Sequence, residues 1–323
     1  MIAVLPHSTA HLPLIAHPTM KGKHVLISGG TSGIGRATAL ALAHQGAVVT
    51  IIGRNEHKSR ETVDAIRAQT GNPQVAYLLA DLSSTAQTLA AAQEFRRQHD
   101  RLDVLINNAG AIFFARGESA DGIENTFALN HLVGYFLLTQ QLLDLLRQSA
   151  PARIINVSSG AHEAAKMAWD DLELRSGYSG FRAYAQSKLA NVLFTYELAR
   201  RLHGTDVTVN ALHPGVIATN FGATNNNRFF QLGQKLFKPF LTSVDKGAAT
   251  SVFLASAAEV EGVTSKYFQD KRARSSAPAS DDEASQRRLW QMSEDLLAPF
   301  LERPAPAVFA PTAAPLPTAL API

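Results

Sequence analysis

The sequence predicts an α/β fold: one domain built on a doubly wound parallel sheet of Rossmann type, with helices on both faces. Three observations carry that expectation. Short apolar runs alternate with helix-patterned segments at close, regular intervals, which is the rhythm of right-handed strand–helix–strand crossovers. The apolar runs are continuous, as in strands buried on both faces of a sheet. The first run ends in glycines that open directly into a helical pattern.

Taken in order, "HVLISGG" (24–30) is the first strand and "GIGRATALALAHQG" (33–46) the first helix, ended by Gly46. "AVVTIIG" (47–53) is a second strand, "EHKSRETVDAIRAQTG" (56–71) a helix and "QVAYLLADL" (74–82) a third strand. "TLAAAQEFRRQHD" (88–100) is helical and "LDVLINNAG" (102–110) the fourth strand. A long helix runs through "FALNHLVGYFLLTQQLLDLLRQ" (127–148), followed by the strand "ARIINVSSG" (152–160). A helix carrying "YAQSK" (184–188) precedes the sixth strand, "VTVNALHPG" (207–215). Residues 21–300 read as one domain, flanked by a poorly ordered extension over 1–20 and a Pro/Ala-rich, disordered tail over 301–323.

Composition narrows the function classes. Of 323 residues, 46% are hydrophobic and 18% charged, ordinary for a globular protein with a sizeable core. A net charge of +3 without basic runs argues against nucleic acid as a partner. The chain has no cysteine, which excludes disulfides, thiolate metal sites and thiol nucleophiles. No His, Asp and Glu set has metal-ligand spacing, so no metal is expected. No apolar run reaches the roughly 18 to 20 residues that span a bilayer. The N-terminal segment lacks the basic start of a signal peptide, and Pro6, Pro13 and Pro18 interrupt it. A cytoplasmic protein is expected, with peripheral membrane contact through the apolar tails as the alternative.

"SGGTSGIG" (28–35) joins the first strand to the first helix. Gly29 permits the turn, Gly33 lets the backbone approach a diphosphate, and Gly35 lets helix and sheet pack closely; the helix N-terminus offers free N–H groups to the anion. The position of the cluster, after a strand and before a helix, favours dinucleotide binding over a purely structural turn. At the end of the second strand, an NAD site usually carries a carboxylate for the ribose hydroxyls. This chain has Gly53, Arg54 and Asn55 there. A guanidinium suits a 2′-phosphate, with Thr31 and Ser32 as further donors, so NADP(H) is favoured over NAD(H). "NNAG" (107–110) reads either as a lining for the nucleotide end or as a turn. Tyr184 and Lys188 stand one helical turn apart, either as a surface pair or as a phenol beside a cation.

The glycine spacing, "DL" (81–82), "NNAG", "ALNHLVGYFLLT" (128–139), "RIINVSS" (153–159), "YAQSK" and "HPG" (213–215) occur in an order that resembles the short-chain dehydrogenase/reductase family. "APARIINVSSGAH" (150–162) and "SKLANVLFTYELARRL" (187–202) resemble its retinol dehydrogenase-like branch. The resemblance covers about residues 21–270. It implies nicotinamide-dependent interconversion of a carbonyl, aldehyde or ketone, and an alcohol. It makes Tyr184 the proton donor or acceptor, and Lys188 the cation that lowers its pKa and holds the nicotinamide ribose. Ser159 hydrogen-bonds the substrate oxygen, with Ser158 its neighbour, and Asn130 interrupts its helix to support a water. Gly29, Thr31, Ser32, Gly33, Ile34 and Gly35, then Arg54, Asn55, Asp81 and Leu82, and Asn108, Ala109 and Gly110 are the cofactor-binding set. Pro214, Gly215 and Val216 to Thr219 pack around the nicotinamide. A phenol with a pKa near 10 needs such help to exchange protons at neutral pH, and a cation within about 4 to 6 Å favours the phenolate.

The resemblance also places a substrate lid at about 221–243, with Phe221, Phe229, Phe230 and Phe237. Twenty-four residues separate Ser159 from Tyr184, and Trp169, Leu172, Tyr178 and Phe181 among them suit either an apolar substrate wall or the domain's own core. His162 reads as pocket lining or packing, His131 as a packing residue and His213 as packing near the cofactor. A pigment-reducing relative, the light-dependent protochlorophyllide reductases, is disfavoured by the lack of cysteine. A serine hydrolase is excluded by the lack of a G-x-S-x-G elbow. The alternative class is a cofactor-binding redox sensor or scaffold. Two helices, "LLTQQLLDLLRQ" (137–148) and "ANVLFTYELARRL" (190–202), carry apolar faces that either pair into a homodimer or are buried once within the chain.

Overall fold

A computed structural model describes residues 20–215 and 243–301. The first strand, β1 (His24–Ser28), lies inside an eight-stranded sheet with β2 (Val48–Gly53), β3 (Val75–Leu79), β4 (Val104–Asn107), β5 (Ala152–Val157), β6 (Val207–His213), β7 (Lys266–Gln269) and β8 (Arg272–Arg274). The spatial order is β3-β2-β1-β4-β5-β6-β7-β8. All pairings are parallel except β7 with β8. The order reverses between β1 and β4, so a crevice opens at their C-terminal ends, where such folds bind ligands.

The helices are α1 (Gly33–His44), α2 (Glu56–Thr70), α3 (Thr85–Gln98), α4 (Leu138–Gln148), α5 (Gly180–Arg201), α6 (Val244–Ser256) and α7 (Glu283–Leu301). Residues alternate across the strands and build two cores. Leu26, Leu105 and Ile154 face Phe95 of α3, Leu142 of α4, Phe194 of α5 and Trp290 of α7. Val25, Ile106 and Ile155 face Leu42 of α1, Ile66 of α2 and Leu254 of α6. Both faces are thus covered, and each buried Leu or Ile contributes about 1.5–3 kcal/mol.

Three features add to the sequence expectation. The long helix over 127–148 is not uniform: a π-helical stretch, Ala128–Leu137, precedes α4. The wider backbone lets the Leu129 carbonyl approach the Cα of Gly134 so closely that a side chain there would overlap it. Strands β7 and β8 and helices α6 and α7 extend the fold past the sixth strand. The apolar faces of α4 and α5 are buried within the chain, α4 with Leu142 and Leu146, α5 with Phe194 beneath Trp290.

Candidate active site

The crevice is a cleft of about 550 Å³ at the C-terminal ends of the central strands. At its floor, Gly29 takes a left-handed φ of 68°, and a Cβ there would lie 2.9 Å from the Cα of Ala109. A Cβ on Gly35 would sit 2.5 Å from Asn108 Nδ2 and overlap the Gly29 carbonyl. The glycines therefore hold open a close crossing of the first turn and the turn after β4. Ser28, the last residue of β1, locks that crossing: its Oγ accepts from the N–H of Asn108 at 2.8 Å and of Ala109 at 3.0 Å. Asn108 Nδ2 returns a bond to the Ser28 carbonyl at 2.9 Å.

Helix α1 begins beside this crossing. Its N-cap Ser32 makes no side-chain cap bond, and its first turn carries no acidic residue. Its first N–H groups are left to meet an anion with the positive end of the helix dipole. Thr31, Ser32, Gly33 and Ile34 line the cleft there. At its far end, Gly53, Arg54, Asn55 and Lys58 form the wall. Asn55 caps α2 by accepting from Lys58 N–H at 2.9 Å. This turn brings two cations to one side of the cleft. Arg54 is 4.0 Å from Asp81, with both side chains substantially exposed. Such a pair is weak and leaves the guanidinium free to turn toward a ligand. Asp81 is outside the lining but next to Leu82, which is part of it.

Helix α5 supplies the opposite side of the cleft. Tyr184, Lys188, Asn191 and Thr195 recur at helical spacing and form a stripe facing the sheet. Lys188 is buried; its Nζ donates to the Val157 carbonyl at 3.0 Å and lies 5.7 Å from the centroid of the Tyr184 ring. Burial pushes the Lys188 amine down from 10.5 to about 7. Burial also pushes the Tyr184 phenol up to about 12, while a hydrogen bond with Ser159 works in the opposite direction. Burial thus acts on both groups in the same sense, favouring the uncharged phenol and the uncharged amine.

Ser159 follows β5 and caps a short 3-10 turn, Gly160–Ala164, its Oγ accepting from Ala161 N–H at 3.2 Å. Ser158 lines the cleft, but its Oγ is committed to the Lys188 carbonyl at 2.8 Å. Asn130 lies in the π-helical stretch, beneath Gly110. Its Oδ1 accepts from Ala111 N–H at 2.9 Å, and its Nδ2 donates to the Ala111 carbonyl at 2.9 Å and to Ser187 Oγ at 3.1 Å. The Asn130 carbonyl accepts from Asn191 Nδ2 at 2.9 Å. A Cβ on Gly110 would lie 3.3 Å from Asn130 Oδ1 and 3.4 Å from Lys188 Nζ. Asn130 thus stitches the turn after β4 to α5 next to the lysine.

The structure brings together most of the residues singled out in the sequence. Gly29 to Gly35, Arg54, Asn55, Leu82, Asn108, Ala109, Gly110, Tyr184, Lys188 and Pro214 meet around one cleft. Gly215 follows Pro214 at a φ of 88°. Val216, Thr219, Phe221, Phe229, Phe230 and Phe237 lie outside the described residues. Trp169 and Tyr178 are not in the cleft. Trp169 lies 4.9 Å under the Arg288 guanidinium and lines a separate hollow against α7. Tyr178 is spent on structure, its hydroxyl donating to the Phe113 carbonyl at 2.8 Å. Leu172 is core, and Phe181 is 57% exposed. His162 is fully buried with both ring nitrogens engaged by backbone. His131 packs between Phe127 and Phe194 and bonds Asn191 Oδ1 at 3.1 Å. Lys58 and Ser28 were not singled out; Lys58 was signalled only by its place one turn after Arg54. Among the described residues no group of His, Cys, Asp or Glu could hold a metal.

The short chain dehydrogenase family profile matches residues 23–228. Among curated proteins, the chain is 42% identical to retinol dehydrogenase 12 of Mus musculus over 276 residues, covering 85% of this chain and 86% of that protein. It is 41% identical to retinol dehydrogenase 14 of Homo sapiens over 292 residues, covering 85% and 86%. A solved structure of a Mycobacterium paratuberculosis protein superposes with a TM-score of 0.70 at 30% identity, covering 88% of this chain and 96% of that one. The Pseudomonas aeruginosa RhlG/NADP active-site complex superposes with a TM-score of 0.63 at 30% identity, covering 78% and 96%. With a doubly wound sheet, a glycine cradle at its switch point and these relatives, the chain belongs to the short-chain dehydrogenase/reductase family, in its retinol dehydrogenase-like branch.

Proposed function

We propose that this protein is an NADP(H)-dependent oxidoreductase that interconverts a carbonyl and an alcohol on a lipophilic, retinoid-like substrate. The observation that carries the reading is the half-buried Tyr184 beside the buried Lys188, hydrogen-bonded to Ser159 through the phenol, at one end of a glycine-built nucleotide cleft. The relatives' names support the substrate class. Arg54 and Lys58 at the far end of the cleft, with no carboxylate among its lining residues, support NADP(H) over NAD(H).

The residues present fit a dinucleotide. The close crossing at Gly29 and Gly35 and the uncapped start of α1 would hold its diphosphate. Arg54 and Lys58 would take a 2′-phosphate. Lys188 and Asn108 to Gly110 would line the nicotinamide half. Bound nicotinamide supplies or accepts the hydride.

At neutral pH the Tyr184 phenol carries its proton, since burial places it at about 12. It is therefore set to donate to a carbonyl oxygen as that oxygen gains negative charge. Ser159, already bonded to the phenol, is the second donor to the same oxygen. Lys188, at about 7, gains or loses charge with little cost near neutrality. When charged, it stabilises the phenolate left after proton donation. Asn130 and Ser158 act on position: one fixes the turn beside Lys188, the other fixes the Lys188 backbone. A protonated phenol is the form that carbonyl reduction uses.

The test is NADPH consumption with all-trans-retinal by the purified protein and by Tyr184→Phe. Loss of the phenol proton is expected to lower kcat on the order of 10²- to 10⁴-fold with NADPH affinity retained. A Tyr184→Phe variant as active as the parent defeats the mechanism. Tight NADPH binding without turnover of any carbonyl would instead mark a cofactor-binding sensor.

A further inference from the structure

The turn that carries Ser159 is held by two histidines. His162 Nδ1 lies 2.7 Å from the Ser159 carbonyl, and His162 Nε2 accepts from Ala277 N–H at 3.0 Å. His213, the last residue of β6, takes the Gly160 N–H on its Nδ1 at 3.1 Å. The partners fix the protons. A carbonyl only accepts, so His162 carries its hydrogen on Nδ1. An amide N–H only donates, so His162 Nε2 and His213 Nδ1 are bare. Both rings are thus neutral, and they are opposite tautomers. Neither lines the cleft.

We propose that His162 and His213 are positioning residues that form a two-histidine clamp on the Ser159–His162 turn, aiming the Ser159 hydroxyl at Tyr184 and tying the turn to the segment at Ala277. This rests on the reading of Ser159 and Tyr184 given above. One histidine grips the carbonyl of Ser159 and the other the N–H of Gly160, so the peptide unit between those residues is held on both sides. Ser159 Oγ is oriented within the same turn by Ala161 N–H. The grip of His162 reaches the C-terminal part of the fold, where Ala277 follows Ser276, itself bonded to Tyr196 of α5 at 2.6 Å.

A second proton on either ring places a hydrogen against an N–H that already points there, and the clamp opens. Burial is the main cause holding both imidazoles below their usual 6.5. The facing groups are mixed. Glu163 favours a charged His162 and, with Asp270, a charged His213, while His162 itself disfavours a charge on His213. The Tyr267 ring packs 4.8 Å from His162 and brings no charge of its own at neutral pH, its phenol being raised by burial. Catalysis should therefore fail on the acid side as the clamp titrates.

Four substitutions separate the arms. Asn at 162 keeps a donor near Nδ1, whereas Gln at 162 keeps an acceptor near Nε2. Asn at 213 keeps the acceptor, and Leu at 213 removes it. With NADPH and all-trans-retinal, His162→Gln and His213→Leu are expected to lose kcat on the order of tenfold or more, with NADPH affinity from fluorescence titration unchanged. His162→Asn and His213→Asn are expected to stay within about threefold of the parent. The acid limb of kcat should disappear in the double Asn variant. Side-chain ¹⁵N spectra of the parent protein at neutral pH give an independent readout: a proton on Nδ1 of His162 and on Nε2 of His213.

The opposite tautomers would overturn the clamp. So would His162→Gln and His213→Leu with parental kcat and an unchanged pH profile, while Tyr184→Phe is inactive; the site reading would then stand. An active Tyr184→Phe would bring down the site reading, and the clamp with it.

Discussion

Lys188 is the most costly residue of the site, and its removal has a calculable effect. It is 3% exposed, and burial lowers its amine from 10.5 to about 7. That drop corresponds to about 5 kcal/mol held against folding when the amine is charged. Lys188→Met keeps the length of the side chain and places a thioether between the Tyr135 and Tyr184 rings, which the amine now approaches to 5.4 and 5.7 Å. The lost bond to the Val157 carbonyl costs about 1 kcal/mol, and that carbonyl still accepts from Tyr135 at 3.1 Å. Between about pH 7 and 10.5 the unfolded chain keeps the lysine proton and the folded chain does not, so parental stability rises with pH across that window. Urea unfolding of the cofactor-free proteins should therefore show Lys188→Met more stable by about 3–4 kcal/mol near pH 6, with the advantage shrinking steadily toward about pH 10. Turnover should be lost throughout. Equal stability near pH 6, or a gap that does not change with pH, would refute the claim that a buried, reluctant charge is stored at this site.

Gly35→Ala should weaken NADPH binding at least about tenfold in a fluorescence titration, because the added methyl overlaps the Gly29 carbonyl and meets Asn108 Nδ2 at 2.5 Å. Replacing Arg54 and Lys58 together by Gln should raise the KM for NADPH by about ten- to hundredfold, the worth of one or two charge-assisted bonds, while leaving NADH kinetics nearly unchanged. His99 and His131 are buried, and burial lowers each imidazole from 6.5 to about 4. The unfolded chain binds their protons first as pH falls below 6.5, so each should withdraw up to about 3 kcal/mol of stability between there and about pH 4. Denaturant melts at about pH 7.5 and 5 should show a smaller acid loss in His99→Gln.

What could be read from the sequence followed from how burial writes itself into residue patterns. β1 to β6 are apolar on both faces, so continuous runs announced them. β7 and β8 did not announce themselves: in "KYFQ" only Tyr267 and Phe268 are buried, and "RAR" is wholly exposed, its three residues held by pairing alone. The π-helical stretch has the same apolar pattern as an α-helix, and only Gly134 and the interruption that the family resemblance implies at Asn130 hint at the wider turn. The cradle was legible because glycine marks a backbone requirement that no other residue meets. Ser28 was hidden inside an apolar run, and Lys58 among the charges of an exposed helix. Trp169 and Tyr178 were ambiguous for the opposite reason. An aromatic ring in a loop suits a substrate wall and a structural cap equally well, and their partners, Arg288 and the Phe113 carbonyl, are far away in sequence.

The acid–base pair shows why motif and energy have to be read separately. From sequence, a phenol one turn from an amine reads as a cation lowering a tyrosine. The structure gives the two groups one buried environment, and that environment moves both toward neutrality: the phenol upward and the amine downward. A neutral phenol beside an amine poised between its charged and uncharged forms is a resting state suited to giving a proton. Any positive charge brought to the neighbouring part of the cleft would favour the phenolate and tilt the pair toward taking one. The direction of proton transfer would then follow the oxidation state of the bound nicotinamide, which is positive only when oxidised, with no change in the protein's own residues. On this argument, Lys188 earns its place by responding to the charge of its neighbour, and a permanently charged residue such as Arg at 188 would fix the pair in one state.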